Sequence, residues 1–447
     1  MPTKPEPADH RGPTGEPLLD PVVMEAEDLR VTYRLQGTAL SRLLGLRTRS
    51  VDALDGVSLR LHRGEVLGVV GESGSGKTTL GRALLGMAPA TGGTIRYHAE
   101  TGVQDVTALR GADLRRLRTR VQMVFQDPSA ALNPSMTIGE AVGHPLRIHG
   151  VATGEEAKRR VAETLERVGL APAARFADRY PADLSGGQRQ RAVIARAIIV
   201  GPEVLVADEP ISMLDMSVRA KILQLMLDLK ADLGLSYLYI THDLASAKYF
   251  CDRIAIMYLG RIVEVGPVAE IFARPRHPYT KALLAAIPDP DPSRERVSLL
   301  PRGEIPDAAA PPRGCSFHPR CAEAVAGCGW EPRDLPAVLD QHWTEEGVDF
   351  AAERALFEDL EGLAGRVETT TGEVEALLRS PDPERAAALL TSLRDAVDPD
   401  PLWRGVTSVA VEAGGVRVRF AAATDPRLRP DGAVQAACVH VPEPTAP

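Results

Sequence analysis

Val66-Leu67-Gly68-Val69-Val70-Gly71-Glu72-Ser73-Gly74-Ser75-Gly76-Lys77-Thr78-Thr79 is the stretch whose reading decides the fold. An apolar run, 66–70, passes directly into residues that fit G-x-x-x-x-G-K-[ST]. A strand that runs into a glycine-rich loop and then a helix aims backbone N–H groups and the positive end of the helix at phosphates. Lys77 would then reach the β- and γ-phosphates, and the Thr78 hydroxyl would take one Mg²⁺ position. Gly71, Glu72, Ser73, Gly74, Ser75, Gly76, Lys77, Thr78 and Thr79 are therefore the candidate ATP-binding residues. A chance glycine-rich turn shares the glycines but lacks the strand before them.

Two further stretches extend this reading. Val204-Leu205-Val206-Ala207-Asp208-Glu209-Pro210 places four apolar residues before two carboxylates. It reads as a buried strand delivering acids to the C-terminal edge of a sheet, where ligands sit in α/β folds. Asp208 suits the Mg²⁺ shell and Glu209 suits a general base that polarises an attacking water. Taken alone, the stretch also fits an acidic turn after a core strand. Leu184-Ser185-Gly186-Gly187-Gln188 opens a helical run from Arg189 to Ile199 with Ser185 at the N-cap position. The Ser185 hydroxyl and glycine amides there can meet an anion, although an ordinary Ser-Gly-Gly helix start has the same composition. Three such elements in this order weigh against coincidence.

With these residues in view, the sequence resembles the ATP-binding cassette (ABC) ATPases over residues 24–285. Leu184 to Gln188 matches the family signature LSGGQ. The resemblance implies a P-loop ATPase domain with a mainly parallel sheet core and antiparallel β and helical subdomains. It also implies roles residue by residue. Gln126, in Phe125-Gln126-Asp127-Pro128, matches the Q-loop glutamine, which senses Mg²⁺ and the attacking water; a surface glutamine after a strand would look alike. His242, in Thr241-His242-Asp243, matches the switch histidine at the γ-phosphate, where a packed or capping histidine is the other reading. Asp215, in Ser212-Met213-Leu214-Asp215, occupies the D-loop, with Met213 where many members have Ala. Tyr33 falls where the family stacks an aromatic on adenine, and a core tyrosine fits nearly as well. Mg²⁺ would be held through Thr78, Gln126 and Asp208. Ser185, Gly186, Gly187 and Gln188 would act in trans, closing over the P-loop of a second cassette, so the implied partners begin with a second ABC ATPase subunit.

Residues 126–139 and Arg276-His277-Pro278-Tyr279-Thr280 look like the oligopeptide/dipeptide importer branch, as do Gly303-Glu304-Ile305-Pro306 and Gly314-Cys315-Ser316-Phe317-His318-Pro319-Arg320-Cys321. That branch implies an ATPase subunit energising peptide uptake with two transmembrane permease subunits and, indirectly, an extracytoplasmic substrate-binding protein. It places the chain at the cytoplasmic face of the membrane. The branch also includes importers of nickel, opines or glutathione. A soluble cassette ATPase acting on DNA or ribosomes is the other class; such proteins commonly carry two cassettes, coiled-coil insertions or basic arms, and none is evident in this sequence.

Cys315, Cys321 and Cys328 form a compact trio, and Cys438 lies in Ala437-Cys438-Val439-His440, similar to the end of the branch's C-terminal extension. Four thiolates can hold a structural Zn²⁺ or an iron–sulfur cluster, and the spacing alone selects neither. The resemblance favours a [4Fe-4S] cluster, with Zn²⁺ and unligated thiols as alternatives. Cys251 sits in an apolar context and reads as a buried core thiol.

The rest of the chain frames these motifs. At 447 residues and 44% hydrophobic content it can build two or three domains with buried cores. Five cysteines are too few and too spread for a secreted disulfide scaffold, and residues 1–20 lack a cationic start before an apolar core, so a reducing cytoplasm is expected. There is no apolar run of about 18 residues or more, so any membrane role needs a partner. A net charge of -8, from 52 basic and 60 acidic side chains, argues against binding nucleic acid through overall charge. Residues 331–430 hold 20 acidic and 11 basic groups, so the acidity is local.

The expected organisation is a proline-rich disordered tail at 1–23, the ATPase domain at 24–285, and a linker with a Cys-bearing extension at 286–330. An acidic α+β module follows, inserted at 331–430, then a return segment with Cys438 and a disordered tail at 431–447. The spacing of apolar residues predicts helix over 345–397, and a hairpin is predicted around Gly414-Gly415.

Overall fold

The computed structural model describes residues 21–34, 50–287, 301–360, 367–368, 372–397 and 399–442. Most of the proposed 1–23 tail, Pro288, Pro290 and Pro292 of the linker, and the last five residues lie outside them. Among the described residues, those within Met1–Thr32 and Ala53–Ala255 form one compact unit, and those within Tyr33–Asp52 and Ile256–Pro447 form a second.

The first unit contains the parallel core that the apolar runs predict. Strands β3 (Val66–Val70), β6 (Val121–Val124), β7 (Val204–Asp208) and β8 (Ser236–Thr241) line up in the order β3-β8-β7-β6. All three pairings are parallel, with Val66 opposite Tyr237 and Val204 opposite Ser236. β3, β7 and β8 are buried at every position, which is why they read as continuous apolar runs rather than alternating ones. Helix α1 (Lys77–Leu84) follows β3 and lies close against the sheet. A Cβ built on Gly81 would sit 2.8 Å from Ile240 and 2.9 Å from Val206.

Two subdomains complete this unit. β1 (Val22–Arg34), β2 (Ser50–His62), β4 (Gly92–Ala99) and β5 (Gly102–Asp105) make an antiparallel sheet ordered β2-β1-β4-β5. Between β5 and β6 lies α2 (Gly111–Arg120), and β6 leads into the single-turn α3 (Pro128–Ala131). α4 (Ile138–Ile148) starts at a capping box between Thr137 and Glu140 and packs against α5 (Gly154–Arg167), α6 (Ala173–Ala177) and α7 (Gly186–Ile198). α8 (Met216–Leu233) follows β7 and ends on Gly234 at φ 65°, where the left-handed backbone suits glycine. α9 (Leu244–Phe250) follows β8 and leads into β9 (Arg253–Tyr258).

The division between the units falls inside β9, earlier than the boundary at 285 expected from the sequence. The residues after β9 group with the C-terminal part because β10 (Arg261–Pro267) pairs antiparallel with β16 (Val434–Ala436), Glu264 opposite Ala436. The second unit then runs through α10 (Val268–Ala273) and α11 (Pro278–Ala285), a Cys-bearing stretch of loops and 3-10 turns, α12 (Leu335–His342) and α13 (Phe350–Arg354). A second antiparallel sheet orders β11-β12-β14-β13, from β11 (Val367–Glu368), β12 (Val374–Arg379), β13 (Val406–Glu412) and β14 (Gly415–Phe420). α14 (Pro383–Arg394) covers β13 and β14. β15 (Arg429–Asp431) then turns back onto β16.

The hairpin stands where it was expected, with Glu412 opposite Gly415 and Gly414 at φ 85° in the turn. The helical reading of 345–397 is corrected: 374–379 is a strand, alternately buried and outward, paired along its length with β14. Val-Glu-Ala-Leu-Leu-Arg carries strong helix formers, and burial against a sheet neighbour overrides that propensity.

Candidate functional site

The loop between β3 and α1 makes the phosphate cradle. Gly74 and Gly76 have φ of 78° and 100°, so the turn uses the left-handed region twice before the helix begins at Lys77. A Cβ on Gly74 would meet nothing within 4 Å, so the demand there is conformational and the loop is open. Lys77 is folded back into the loop, its Nζ donating to Gly71 O and Glu72 O at 2.8 Å and reaching Ser75 Oγ at 3.4 Å. Burial pushes the ammonium pKa down, and the carboxylates of Glu209, Asp208 and Glu72 oppose that shift. Lys77 and Ser75 are buried, whereas Ser73 and Gly74 face outward.

The carboxylates come to the same place from β7. Asp208 is its last residue, nearly buried, and accepts a hydrogen bond from Thr78 Oγ at 3.1 Å. Burial raises its pKa while the Thr78 bond lowers it. Glu209, the next residue, takes φ 45°, a left-handed conformation rare for anything but glycine, with its backbone N–H held by Ile240 O at 2.9 Å. Its carboxylate accepts from Gln126 Nε2 at 3.0 Å through one oxygen, and the other oxygen lies 3.0 Å from His242 Nδ1. Lys77, Thr78, Asp208, Glu209, Gln126 and His242 therefore form one connected set across the ends of β3, β6, β7 and β8. Glu209 is 16% exposed and His242 59%, so the carboxylate is held from within and the imidazole faces the open side.

The remaining sequence-selected residues sit elsewhere. Ser185 is the exposed N-cap of α7 and forms a capping box with Gln188: its Oγ accepts the Gln188 backbone N–H and Gln188 Oε1 accepts the Ser185 backbone N–H. A Cβ on Gly187 would lie 2.6 Å from Val218, so α7 opens tight against α8. Asp215 is the exposed N-cap residue of α8 without a side-chain capping bond. Tyr33 is 42% exposed near the end of β1, so it is not a core tyrosine.

Cys315, Cys321, Cys328 and Cys438 are in the second unit, and none is in a disulfide. Each of the four singled out accepts a backbone N–H at sulfur: Cys315 from Phe317, Cys321 from Glu323, Cys328 from Val325 and Cys438 from His440. Burial pushes Cys315 and Cys321 up to about 12, and charge on Cys328, Cys438 and Cys321 would raise Cys315 further. The four sulfurs thus share one electrostatic neighbourhood. Among the described residues no group of three or more His, Cys, Asp or Glu side chains is arranged to hold a metal ion. This arrangement therefore supports neither the expected [4Fe-4S] cluster nor its Zn²⁺ alternative. Cys251 is buried, as expected.

Sequence reasoning missed two residues. His277 has its Nε2 3.9 Å from Cys315 Sγ, and buried Glu264 accepts the backbone N–H groups of Arg276 and His277. His277 stands in the branch motif quoted above without a site role, and no spacing signal marks Glu264; both follow from the approach of α11 to the Cys-bearing loops within the second unit.

The fold and site define a P-loop ATPase whose strand-end carboxylates serve the phosphate loop. Residues 54–212 match the family model described as ABC transporter, and residues 263–328 match the one described as Oligopeptide/dipeptide transporter, C-terminal region. The chain is 47% identical over 280 residues to the dipeptide transport ATP-binding protein DppF of Haemophilus influenzae, covering 62% of this chain and 83% of that one. It is 43% identical over 304 residues to the oligopeptide transport ATP-binding protein OppF of Salmonella typhimurium, covering 67% and 88%. The chain belongs to the ABC transporter ATPases, in the oligopeptide/dipeptide branch.

Proposed function

We propose that this chain is the ATP-hydrolysing subunit of an importer that takes up di- and oligopeptides across the cytoplasmic membrane. The observation that carries the reading is the Glu209 carboxylate, held between Gln126 and His242 one residue after the Asp208–Thr78 pair. Glu209 is the general base for the attacking water, and Gln126 orients the water and senses the metal. His242 contacts the γ-phosphate from the open side. The loop amides from Gly71 to Thr79, with Lys77, hold the phosphates, and Tyr33 stacks on adenine. Thr78, Asp208 and Gln126 offer oxygen donors to Mg²⁺, which neutralises phosphate charge when bound. Ser185, Gly186, Gly187, Gln188 and Asp215, at the starts of α7 and α8, serve the site of a second cassette.

Two permease subunits and, through them, an extracytoplasmic binding protein complete the assembly, with this chain peripheral on the cytoplasmic face. Among the described residues no helix is long and apolar enough to cross a membrane. The domain reading remains 24–285 for the ATPase, 286–330 for linker and extension, 331–430 for an inserted module and 431–447 for the return. Glu209→Gln is expected to keep ATP binding and abolish turnover; undiminished hydrolysis removes Glu209 as the base. Uptake of labelled di- and oligopeptides, lost in that variant, tests the cargo.

For the cysteines we retain a [4Fe-4S] cluster on Cys315, Cys321, Cys328 and Cys438. Its support is the shared electrostatic neighbourhood of the four thiols, three of them buried, with Cys328 accepting the Val325 N–H at 3.4 Å. Such a donor favours thiolate, while burial without a metal would leave the four protonated. Iron and acid-labile sulfide in anaerobically purified protein test it, and zinc at one per chain overturns it.

A further inference from the structure

Glu209 stands one residue beyond β7 at φ 45°, a conformation that a side chain makes costly and that the surroundings must therefore hold. Its N–H is fixed by Ile240 O at 2.9 Å. Its carbonyl is gripped twice by Ser212, through the backbone N–H at 3.2 Å and through Oγ at 3.0 Å. The turn from Glu209 to Asp215 thus closes back on the strained residue itself.

Arg219 holds the same turn from its other end. Its Nε donates to Leu214 O at 2.7 Å and its Nη2 to Ser212 O at 3.4 Å. Helix α8 begins at Met216, so Arg219 is its fourth residue, close to the positive end of the helix, where a cation is disfavoured and Asp or Glu is preferred. Helix formation alone does not call for arginine there. What arginine adds is a planar fork with several donors, able to take two main-chain carbonyls at once. Ile211 and Leu214 are buried while Met213 is exposed, so apolar packing pins the turn at two points and Arg219 fixes the carbonyls beside them.

We infer that Arg219 is a positioning residue for hydrolysis: by gripping Ser212 O and Leu214 O it keeps Ser212 on the Glu209 carbonyl, and so keeps the Glu209 carboxylate between Gln126 and His242. The inference rests on the reading of Glu209 as the general base. The two side-chain hydrogen bonds of Arg219 end on this turn rather than on the phosphate loop. Their loss should therefore slow turnover and spare nucleotide binding.

The test uses the full chain as wild type, Arg219→Met, Arg219→Lys, Ser212→Ala, the Ser212→Ala/Arg219→Met double variant and Glu209→Gln. Readouts are kcat and KM for ATP hydrolysis and the affinity for Mg²⁺ with β,γ-imido-ATP, a nonhydrolysable analogue. The expected result is a kcat roughly 10- to 100-fold lower in Arg219→Met, with KM and analogue affinity within about twofold of wild type. Arg219→Lys, which keeps the charge but not the fork, should lose less. The double variant should be no slower than its slower parent, because both side chains serve one clamp. Wild-type kcat in Arg219→Met, with Glu209→Gln inactive, overturns the inference and leaves Glu209 as the base. Losses that multiply in the double variant overturn it too, as do equal losses of kcat and affinity in the Met and Lys variants, since the fold in general is then what has been damaged. If Arg219→Met does not fold, Arg219→Lys decides: a lower kcat at unchanged affinity supports the inference and a wild-type kcat overturns it. Full turnover in Glu209→Gln overturns the base and the inference together.

Discussion

At the scale of single residues, the site depends on charges held where water is scarce. Asp208 illustrates the sign. Its pKa is raised on folding, chiefly by burial, so the native state holds a proton more tightly than the unfolded chain does. The stability it contributes is present below the ordinary carboxylate range and is lost as pH rises through the raised value. Asp208→Asn, which keeps an acceptor for Thr78, is therefore expected to melt higher than the wild type near neutral pH when no nucleotide is bound. A gain on the order of 2–4 °C per kcal/mol is the relevant scale. That gain should shrink as the pH is lowered and Asp208 takes up its proton, while ATP hydrolysis is lost throughout. A lower melting temperature at neutral pH would mean that the charge is compensated. Gln126→Ala is expected to cut turnover roughly 10²-fold or more while nucleotide binding is largely kept, since it frees one oxygen of Glu209. Steady-state ATPase kinetics with a nucleotide-binding titration checks this.

At the scale of elements, the site is carried by helix starts and strand ends packed closely enough to leave no slack. Gly81 on α1 faces Val206 and Ile240, and a methyl there would overlap both. Gly81→Ala should cost about 1–3 kcal/mol by overpacking and shift the helix that begins with Lys77 and Thr78. Thermal melts and ATP affinity should both fall; an unchanged melt would show that the sheet yields freely. This level also shows what the sequence could carry. The run from Val66 to Thr79, the acids after Ala207 and the cap at Ser185 were legible because each needs particular residues at particular positions. So was the Gly414 turn, which demands a left-handed backbone. β12 was not legible, because its pairing with β14 is non-local and its residues prefer helix. The contacts of Glu209 with Gln126 and His242 join residues far apart in the chain, so the sequence gives only the candidates and the parallel sheet order brings them together. The backbone donors at the four sulfurs leave no residue signature at all.

At the scale of the whole molecule, the hydrolytic residues Lys77, Thr78, Gln126, Asp208, Glu209 and His242 all lie in the first unit, and the four candidate cluster ligands all lie in the second. The acidic stretch between Cys328 and Cys438 contributes to neither set. Replacing residues 335–420 with a short Gly-Ser bridge is therefore expected to leave the rate of ATP hydrolysis within about twofold of the full chain, as read by phosphate release. A loss of an order of magnitude or more would give the module a part in turnover.

The Thr424 N–H donates to Gly327 O at 2.8 Å, so the outgoing and returning strands of that stretch meet side by side at the lip of the thiol-bearing loops. A chain whose departure and return points touch can exchange what lies between them without moving what lies outside. The same junction is a natural port for grafting a reporter onto this transporter subunit.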